Sequence, residues 1–285
     1  MGWLNHCIKI HISMKRPKIK LITDLELTDN TYYEDYMYLS NSMLKSFIDK
    51  CPKHYAYKME NPTNPTQAMK FGTAFHMLAL EGLDKFTTNY VKEPDVDKRT
   101  TLGKTTLAKF NESLKGREPI TTKNYETMMG MYEELVHHKN IDLLRGCNEI
   151  EKIYTWKNED VDMLCKGKLD AVNTSKKYIV DLKTTRNAHP ENYIDIMLNS
   201  CYHMQAAYYL DALGYDDYYI IAIEKDKPHC ICTFKLSKET INDGRELYMN
   251  ALKYYKSIMI SGTDMGLRDL SMSEIDYNEG EICEI

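Results

Sequence analysis

Apolar and polar positions alternate with period two in several short stretches of the chain. These stretches are separated by segments whose apolar positions recur every three to four residues. The alternating stretches predict strands at 150–157, 163–172 and 178–183, and again at 218–224 and 230–236. The helical spacing predicts segments at 39–60, 66–81, 122–138, 191–213 and 238–261. The first opens on Leu39-Ser40-Asn41-Ser42, a capping pattern ahead of Met43, Leu44 and Phe47. It breaks near Cys51-Pro52, where a second short helix can carry Tyr55 and Tyr57. Asn61-Pro62-Thr63-Asn64-Pro65 reads as a loop. Helices, three strands, a helix, two strands and a final helix make an α/β protein with a mixed sheet covered by helices.

One pair of strands is also chemically unusual. Asn173-Thr174-Ser175-Lys176-Lys177 is polar and turn-like, with Met163-Leu164-Cys165 before the first strand's polar end and Tyr178-Ile179-Val180 after the turn. A hairpin folded at Ser175 brings Asp170 nearly opposite Asp181. Asp181 and Lys183, two residues apart, share a face. Two carboxylates facing each other repel unless something offsets them. A divalent cation is the simplest offset, and Lys183 is a partial one.

Composition changes this picture little. The chain has 285 residues, 28% of them charged and 43% hydrophobic, enough for one large domain or two small ones. No apolar run approaches the ~18 residues of a membrane span, and no apolar signal-peptide core follows the basic start. The cysteines, at 7, 51, 147, 165, 201, 230, 232 and 283, form no CxxC pair, so reduced thiols in a cytoplasmic protein are expected. The net charge of −5 weighs against a nucleic-acid partner. Its distribution weakens that objection. Residues 1–20 carry Lys9, Lys15, Arg16, Lys18 and Lys20 without an acid, and acids dominate the last twenty-odd residues. The chain therefore divides into a basic N-terminal extension (1–20, with Met14 a plausible native start), a folded domain (21–262) and an acidic C-terminal tail (263–285).

Further residues complete a constellation: Gly72-x-x-x-His76 upstream, then Asp170, Asp181-x-Lys183, and Gln205-x-x-x-Tyr209 on the helix that follows. The set resembles the PD-(D/E)XK nucleases, and within them the RecE-type (exonuclease VIII-like) phage exonucleases. Leu39-Ser40-Asn41-Ser42 with Pro52 and Tyr55, Lys98-Arg99-Thr100 with Gly103-Lys104, Glu151 with Trp156, and Tyr202-His203-x-Gln205-Ala206-Ala207-x-Tyr209 extend the likeness over roughly residues 38–260. Two departures stand out: Leu169 takes the place of the proline often found before the first acid, and the second acid is Asp.

The resemblance implies a restriction-endonuclease-like core holding Mg²⁺, with Mn²⁺ as a substitute. It implies metal ligation by Asp170, Asp181, His76 and the backbone carbonyl of Leu182, and catalysis by Asp170, Asp181, Lys183, Gln205 and Tyr209. Carboxylate oxygens suit hard cations, while an imidazole is unusual for Mg²⁺ and also suits Mn²⁺. Lys183 would orient or activate the attacking water and steady the developing charge, and a lysine near metals and phosphates could titrate low. Glu151 reads equally as a second-metal or supporting acid and as a salt-bridged strand residue. Arg99, Lys104 and Tyr202 are candidate DNA contacts. Tyr32, Tyr33, Tyr36 and Tyr38 could stack on bases, though packing under a loop suits them better, and Trp156 reads as core.

By resemblance, the activity is 5′-to-3′ digestion of one strand of linear double-stranded DNA. It would release mononucleotides and leave a 3′ tail for recombination. The implied partners are DNA ends, further copies of the chain in a ring, and a RecT-like single-strand annealing protein, in a bacterial or phage-infected cell and away from membranes. Three rivals stay open: a PD-(D/E)XK endonuclease, a RecB-like nuclease with an iron–sulfur cluster, and a DNA-binding protein with a degenerate site. The cysteine spacing does not provide a cluster site, so none is expected.

Overall fold

In the computed structural model, which describes residues 15–23, 27–49 and 52–261, the strands assemble into two sheets. They are β1 Ile19–Ile22, β2 Leu39–Ser40, β3 Tyr90–Lys92, β4 Glu118–Ile120, β5 Glu149–Asn158, β6 Met163–Asn173, β7 Tyr178–Thr185, β8 Asp217–Glu224 and β9 Ile231–Lys235. The main sheet runs β1-β5-β6-β7-β8-β9, with β2 added alongside β6; β3 and β4 form a separate parallel pair. Neighbours in the main sheet are antiparallel except β7–β8 and β2–β6. The expected mixed sheet flanked by helices is therefore present.

The helices are α1 Asp29–Glu34, α2 Asn41–Asp49, α3 Pro52–Glu60, α4 Gln67–His76, α5 Leu83–Asn89, α6 Thr101–Glu112, α7 Thr122–His137, α8 Ile141–Arg145, α9 Pro190–Asn199, α10 Tyr202–Leu213 and α11 Lys238–Ser261. Two hydrophobic layers sandwich the sheet, and strand alternation sorts residues between them. On β8, Ile220 and Ala222 face a layer containing Tyr208, Tyr248 and Leu252 from α10 and α11. Ile221 and Ile223 face the opposite layer, with Phe75, Leu78 and Met131 from the α4–α7 side. Each such side chain taken fully out of water contributes about 1.5–3 kcal/mol, so the two layers clamp the sheet between them. Trp156 is buried against Tyr208, a core residue as its spacing suggested.

Several sequence signals act as read. The Ser40 hydroxyl accepts from the Met43 N–H at 3.3 Å, capping α2, and Pro52 opens α3. The predicted long helix at 191–213 is instead two, α9 and α10. Cys201 between them adopts a left-handed conformation (φ 55°, ψ 35°), which no α-helix can pass through. The segment 66–81 is α4 followed by a π-type turn at Met77–Glu81. The Lys- and Arg-rich stretch 92–123 is built from the end of β3, α6 and β4.

At the N-terminal side, the boundary drawn at residue 20 falls inside β1, which pairs with β5 from Ile19↔Asn158 to Ile22↔Thr155. Arg16 reaches further in. Its guanidinium donates to Asp211 at 3.0 Å, to the Tyr215 carbonyl at 2.5 Å and to Asp216 at 2.9 Å. Asp211 also receives Arg245 at 2.7 and 2.8 Å and the Tyr248 hydroxyl at 2.6 Å. Residues 1–14 and the acidic tail 263–285 lie outside the described residues.

Candidate metal and active site

Three pairs register the hairpin of β6 and β7: Ala171↔Val180, Val172↔Ile179 and Asn173↔Tyr178. Continued by one step, that register would pair Asp170 with Asp181, as the sequence predicted. The ladder stops there. Beyond Val180, β7 follows β8 in parallel from Tyr178↔Asp217 to Thr185↔Glu224, and the gap toward β6 opens. Asp170 bridges the gap's closed end: its Oδ2 accepts the Leu182 N–H at 2.9 Å. Leu182 thus turns its backbone polar groups toward the first acid.

Groups from both helical layers converge on this split. His76, the last residue of α4, places Nδ1 3.6 Å from Asp170 Oδ2 and 3.7 Å from Glu151 Oε1. Lys183 pairs with Asp181 at 2.6 Å, and Gln205 on α10 donates to the other Asp181 oxygen at 3.0 Å. The Tyr202 ring lies 4.9 Å from the Lys183 ammonium. Tyr209, one turn after Gln205, is buried against β6, where a Cβ at Gly167 would fall 2.5 Å from its ring; only a glycine admits the phenol there. The expected helix face of Tyr202, Gln205 and Tyr209 is therefore assembled beside the two aspartates.

Glu151 is the residue that sequence reading left undecided. It lies opposite Asp170, between the pairs Ile150↔Ala171 and Lys152↔Leu169, and its own backbone is left-handed (φ 50°) in mid-strand. A non-glycine residue held so is strained, and such strain gathers at functional sites. The conformation delivers its carboxylate to His76 and Asp170. Lys168 holds Oε2 at 2.9 Å, while the buried Oε1 receives no hydrogen bond. One ligand atom from each of His76, Glu151 and Asp170 lies within 4.8 Å of the others. Two hard carboxylate oxygens and an imidazole nitrogen, one oxygen lacking a donor, fit a divalent cation. Asp181 adjoins this trio but is engaged by Lys183 and Gln205.

Charge crowding shifts the titration of each group. Burial pushes Asp170 up to about 6, with Asp181 adding to the rise and His76 and Lys183 opposing it. Burial works against charge on His76, but Asp170 and Glu151 outweigh it and raise the imidazole above its ordinary range. Burial alone would raise Glu151; His76 and Lys168 reverse that and lower it. Burial would lower Lys183, but Asp181 and Asp170 prevail and raise it, so with no cation beside the two acids it stands as an ammonium.

Sequence reasoning missed Lys168 and Tyr218. Lys168 could have been found as the residue two before Asp170 on the same strand face. Tyr218, fully buried on β8, has its phenol raised by burial and by Asp181, a contact that only the parallel β7–β8 pairing creates.

The remaining candidates lie elsewhere. Arg99 precedes α6, highly exposed, its guanidinium paired with Asp97 at 3.0 Å. Lys104 is on α6 itself. Tyr32 is buried, its ring under the Lys166 ammonium at 4.7 Å, and the Tyr32 and Asp35 carbonyls accept from Lys166. Tyr33 and Tyr36 are exposed and Tyr38 is half-buried.

Residues 40–264 match the family described as PDDEXK-like domain of unknown function (DUF3799). The chain belongs to that family. Its domain is thus PDDEXK-like. A crystal structure of a Eubacterium rectale protein provisionally named an exonuclease superposes with a TM-score of 0.62 at 15% identity, covering 91% of this chain and 92% of that one; it shares the fold. A phage-related exonuclease from Haemophilus somnus 129PT aligns over 67% of this chain and 95% of its own at 16% identity, with a TM-score of 0.32. No curated protein matches the chain. Among the described residues, no helix is long and apolar enough to cross a membrane.

Proposed function

We propose that this DUF3799 chain is a metal-dependent exodeoxyribonuclease of the RecE type, digesting linear double-stranded DNA 5′-to-3′ and leaving 3′ single-stranded tails for strand annealing. The observation that carries the nuclease chemistry is the split between β6 and β7. There Asp170, Asp181 and Lys183 meet beside the trio of His76, Glu151 and Asp170.

Asp170, Glu151 and His76 would hold Mg²⁺ or Mn²⁺, with Asp181 and the Leu182 carbonyl joining them. A bound divalent cation supplies a polarised phosphoryl group, an acidified water and relief of the leaving alkoxide. The protein's own residues do the rest. Gln205 fixes one oxygen of Asp181 and so orients its carboxylate. Lys183, kept charged by its two acids, places an ammonium where the phosphoryl oxygens gain negative charge; it acts as an electrostatic support and not as the proton acceptor. The Tyr202 ring confines that ammonium. Lys168 holds Glu151 toward His76.

Polarity, processivity through a ring of copies, and handover to a RecT-like annealing protein in the cytoplasm of a bacterial or phage-infected cell follow from the RecE-type likeness. The test is digestion of a linear duplex labelled at either end, in Mg²⁺ and in Mn²⁺, beside a covalently closed circle. Loss of the 5′ label as mononucleotide, with the circle intact, is the expected result. Cleavage of the circle would make the chain an endonuclease. DNA binding with no hydrolysis in either metal would make it a degenerate member.

A further inference from the structure

The β6–β7 split is closed at the hairpin turn and opens in the direction of Lys183. Beyond Lys183, the chain leaves β7 as Thr184-Thr185-Arg186, and β8 ends beside it with Glu224-Lys225. Thr185 pairs with Glu224, and the Lys225 N–H donates to the Thr185 carbonyl at 3.0 Å, so Arg186 and Lys225 leave two adjacent parallel strands side by side. Arg186 is exposed and Lys225 half-buried, its ammonium 4.9 Å from the centroid of the Phe71 ring on α4. That ring holds the stem of Lys225 in place on the same helix that carries His76.

Two like charges thus sit at adjacent strand ends, Arg186 three residues beyond Lys183 of β7. Among the described residues, neither has an ion-pair partner. Two carboxylates flank Lys225 in the chain: Glu224 has one oxygen taken by the Ala188 N–H at 2.7 Å, and Asp226 is exposed and forms no ion pair among the described residues. The repulsion is felt: burial lowers Lys225 below its ordinary range, and Arg186 lowers it further. An arrangement of this kind is relieved by an anion placed between the two cations. Three residues of extended chain separate Lys183 from Arg186, about 10 Å at ~3.3 Å per residue. A DNA strand carries a phosphate every ~3.4 Å of helix axis, so that span corresponds to roughly three nucleotides or fewer.

We propose that Arg186 and Lys225 form a two-cation site for a backbone phosphate of the DNA strand being processed, within about three nucleotides of the phosphate at Lys183. The site would hold the strand as it leaves the split, giving register without reading bases. The proposal rests on the nuclease reading for its ligand, yet its test does not need hydrolysis.

The experiment follows binding of a short fluorescent duplex to the full chain in EDTA, by anisotropy, over a series of KCl concentrations. Arg186→Gln and Lys225→Gln keep apolar stems and remove the charges. Lys176→Gln, at the closed hairpin end, serves as the control. Each of the first two is expected to weaken binding several-fold and to flatten the slope of log affinity against log salt by about 0.7–0.9; the control leaves the slope as it was. Arg186→Lys, which keeps the charge, should restore most of the slope. Thermal melts establish that the variants are folded. A folded double variant, Arg186→Gln with Lys225→Gln, whose slope equals that of the wild type overturns the phosphate site, whether or not the enzyme cuts DNA. A flattened slope in a protein that hydrolyses nothing would sustain this site and defeat the nuclease reading alone.

Discussion

Two buried charge clusters touch α10, one on each flank, and they are built from the same residue types to opposite ends. On one flank Asp211 is saturated: Arg245 grips both its oxygens, and Tyr248 and Arg16 take the remaining positions. On the other, Glu151, Asp170 and Asp181 crowd around His76 and Lys183, and Glu151 keeps an oxygen with no donor. The first cluster is complete as it stands and fastens Arg16 and α11 to α10. The second leaves acid oxygens short of donors, a gap a cation would fill. Burial and charge alone do not separate structural from functional acids; the count of donors offered to each oxygen does.

The contrast can be broken most forcefully by exchanging the fates of the two clusters. Asp181→Ala and Lys183→Ala are expected to cut metal-dependent DNA hydrolysis by about a thousandfold or more while the thermal melt barely moves. Asp211→Ala is expected to do the reverse. It strands the Arg245 guanidinium, which sits inside the protein, and should cost about 3–5 kcal/mol of stability by chemical denaturation. Comparable destabilisation from both sets would erase the distinction.

Asp170→Asn sharpens it further. Asp170 titrates near 6 in the folded chain against an ordinary value of 3.8, so the folded state holds this proton more tightly than the unfolded state. Stability therefore falls as pH rises through that window, and the full penalty, up to about 3 kcal/mol, is present above it. The metal-free variant should be more stable than the wild type at neutral pH, with the gap closing near pH 4, and Mg²⁺ should raise the melting temperature of the wild type alone. A variant less stable than the wild type at neutral pH would show that the crowding is not a cost. Gly167→Ala should push the Tyr209 ring out of place, costing about 1–3 kcal/mol and lowering turnover with it. Arg16→Ala should have the smallest effect, about 1 kcal/mol, because Asp211 keeps three of its four bonds.

The saturated cluster was invisible in the sequence, whereas much of the metal site was legible. Asp170, Asp181 and Lys183 belong to one hairpin, and a period of two with a turn between is enough to place them on one patch. Gln205, Tyr209 and Tyr202 follow from helical spacing. Arg16, Asp211, Arg245 and Tyr248 share no local pattern; only the packing of α10 on α11 and of the N-terminal segment on both brings them together. The same limit explains Lys168 and Tyr218. The break at Cys201 went unseen because neither glycine nor proline marks it, and β1 because its four residues, Ile19-Lys20-Leu21-Ile22, are too few to show an alternation. Glu151 was left ambiguous because a backbone conformation has no spacing to read.

That conformation has a consequence for descent. A glutamate held at φ 50° costs the chain about 1 kcal/mol that a glycine would not, and glycine would also relieve the crowding of acids. On the proposed function, selection for hydrolysis is what keeps a side chain at position 151. On that reading, in relatives that lack nuclease activity, position 151 should be among the first to drift to glycine or asparagine, well before the hydrophobic layers change. The residue in this chain is accordingly a marker that can be read in any relative from one codon.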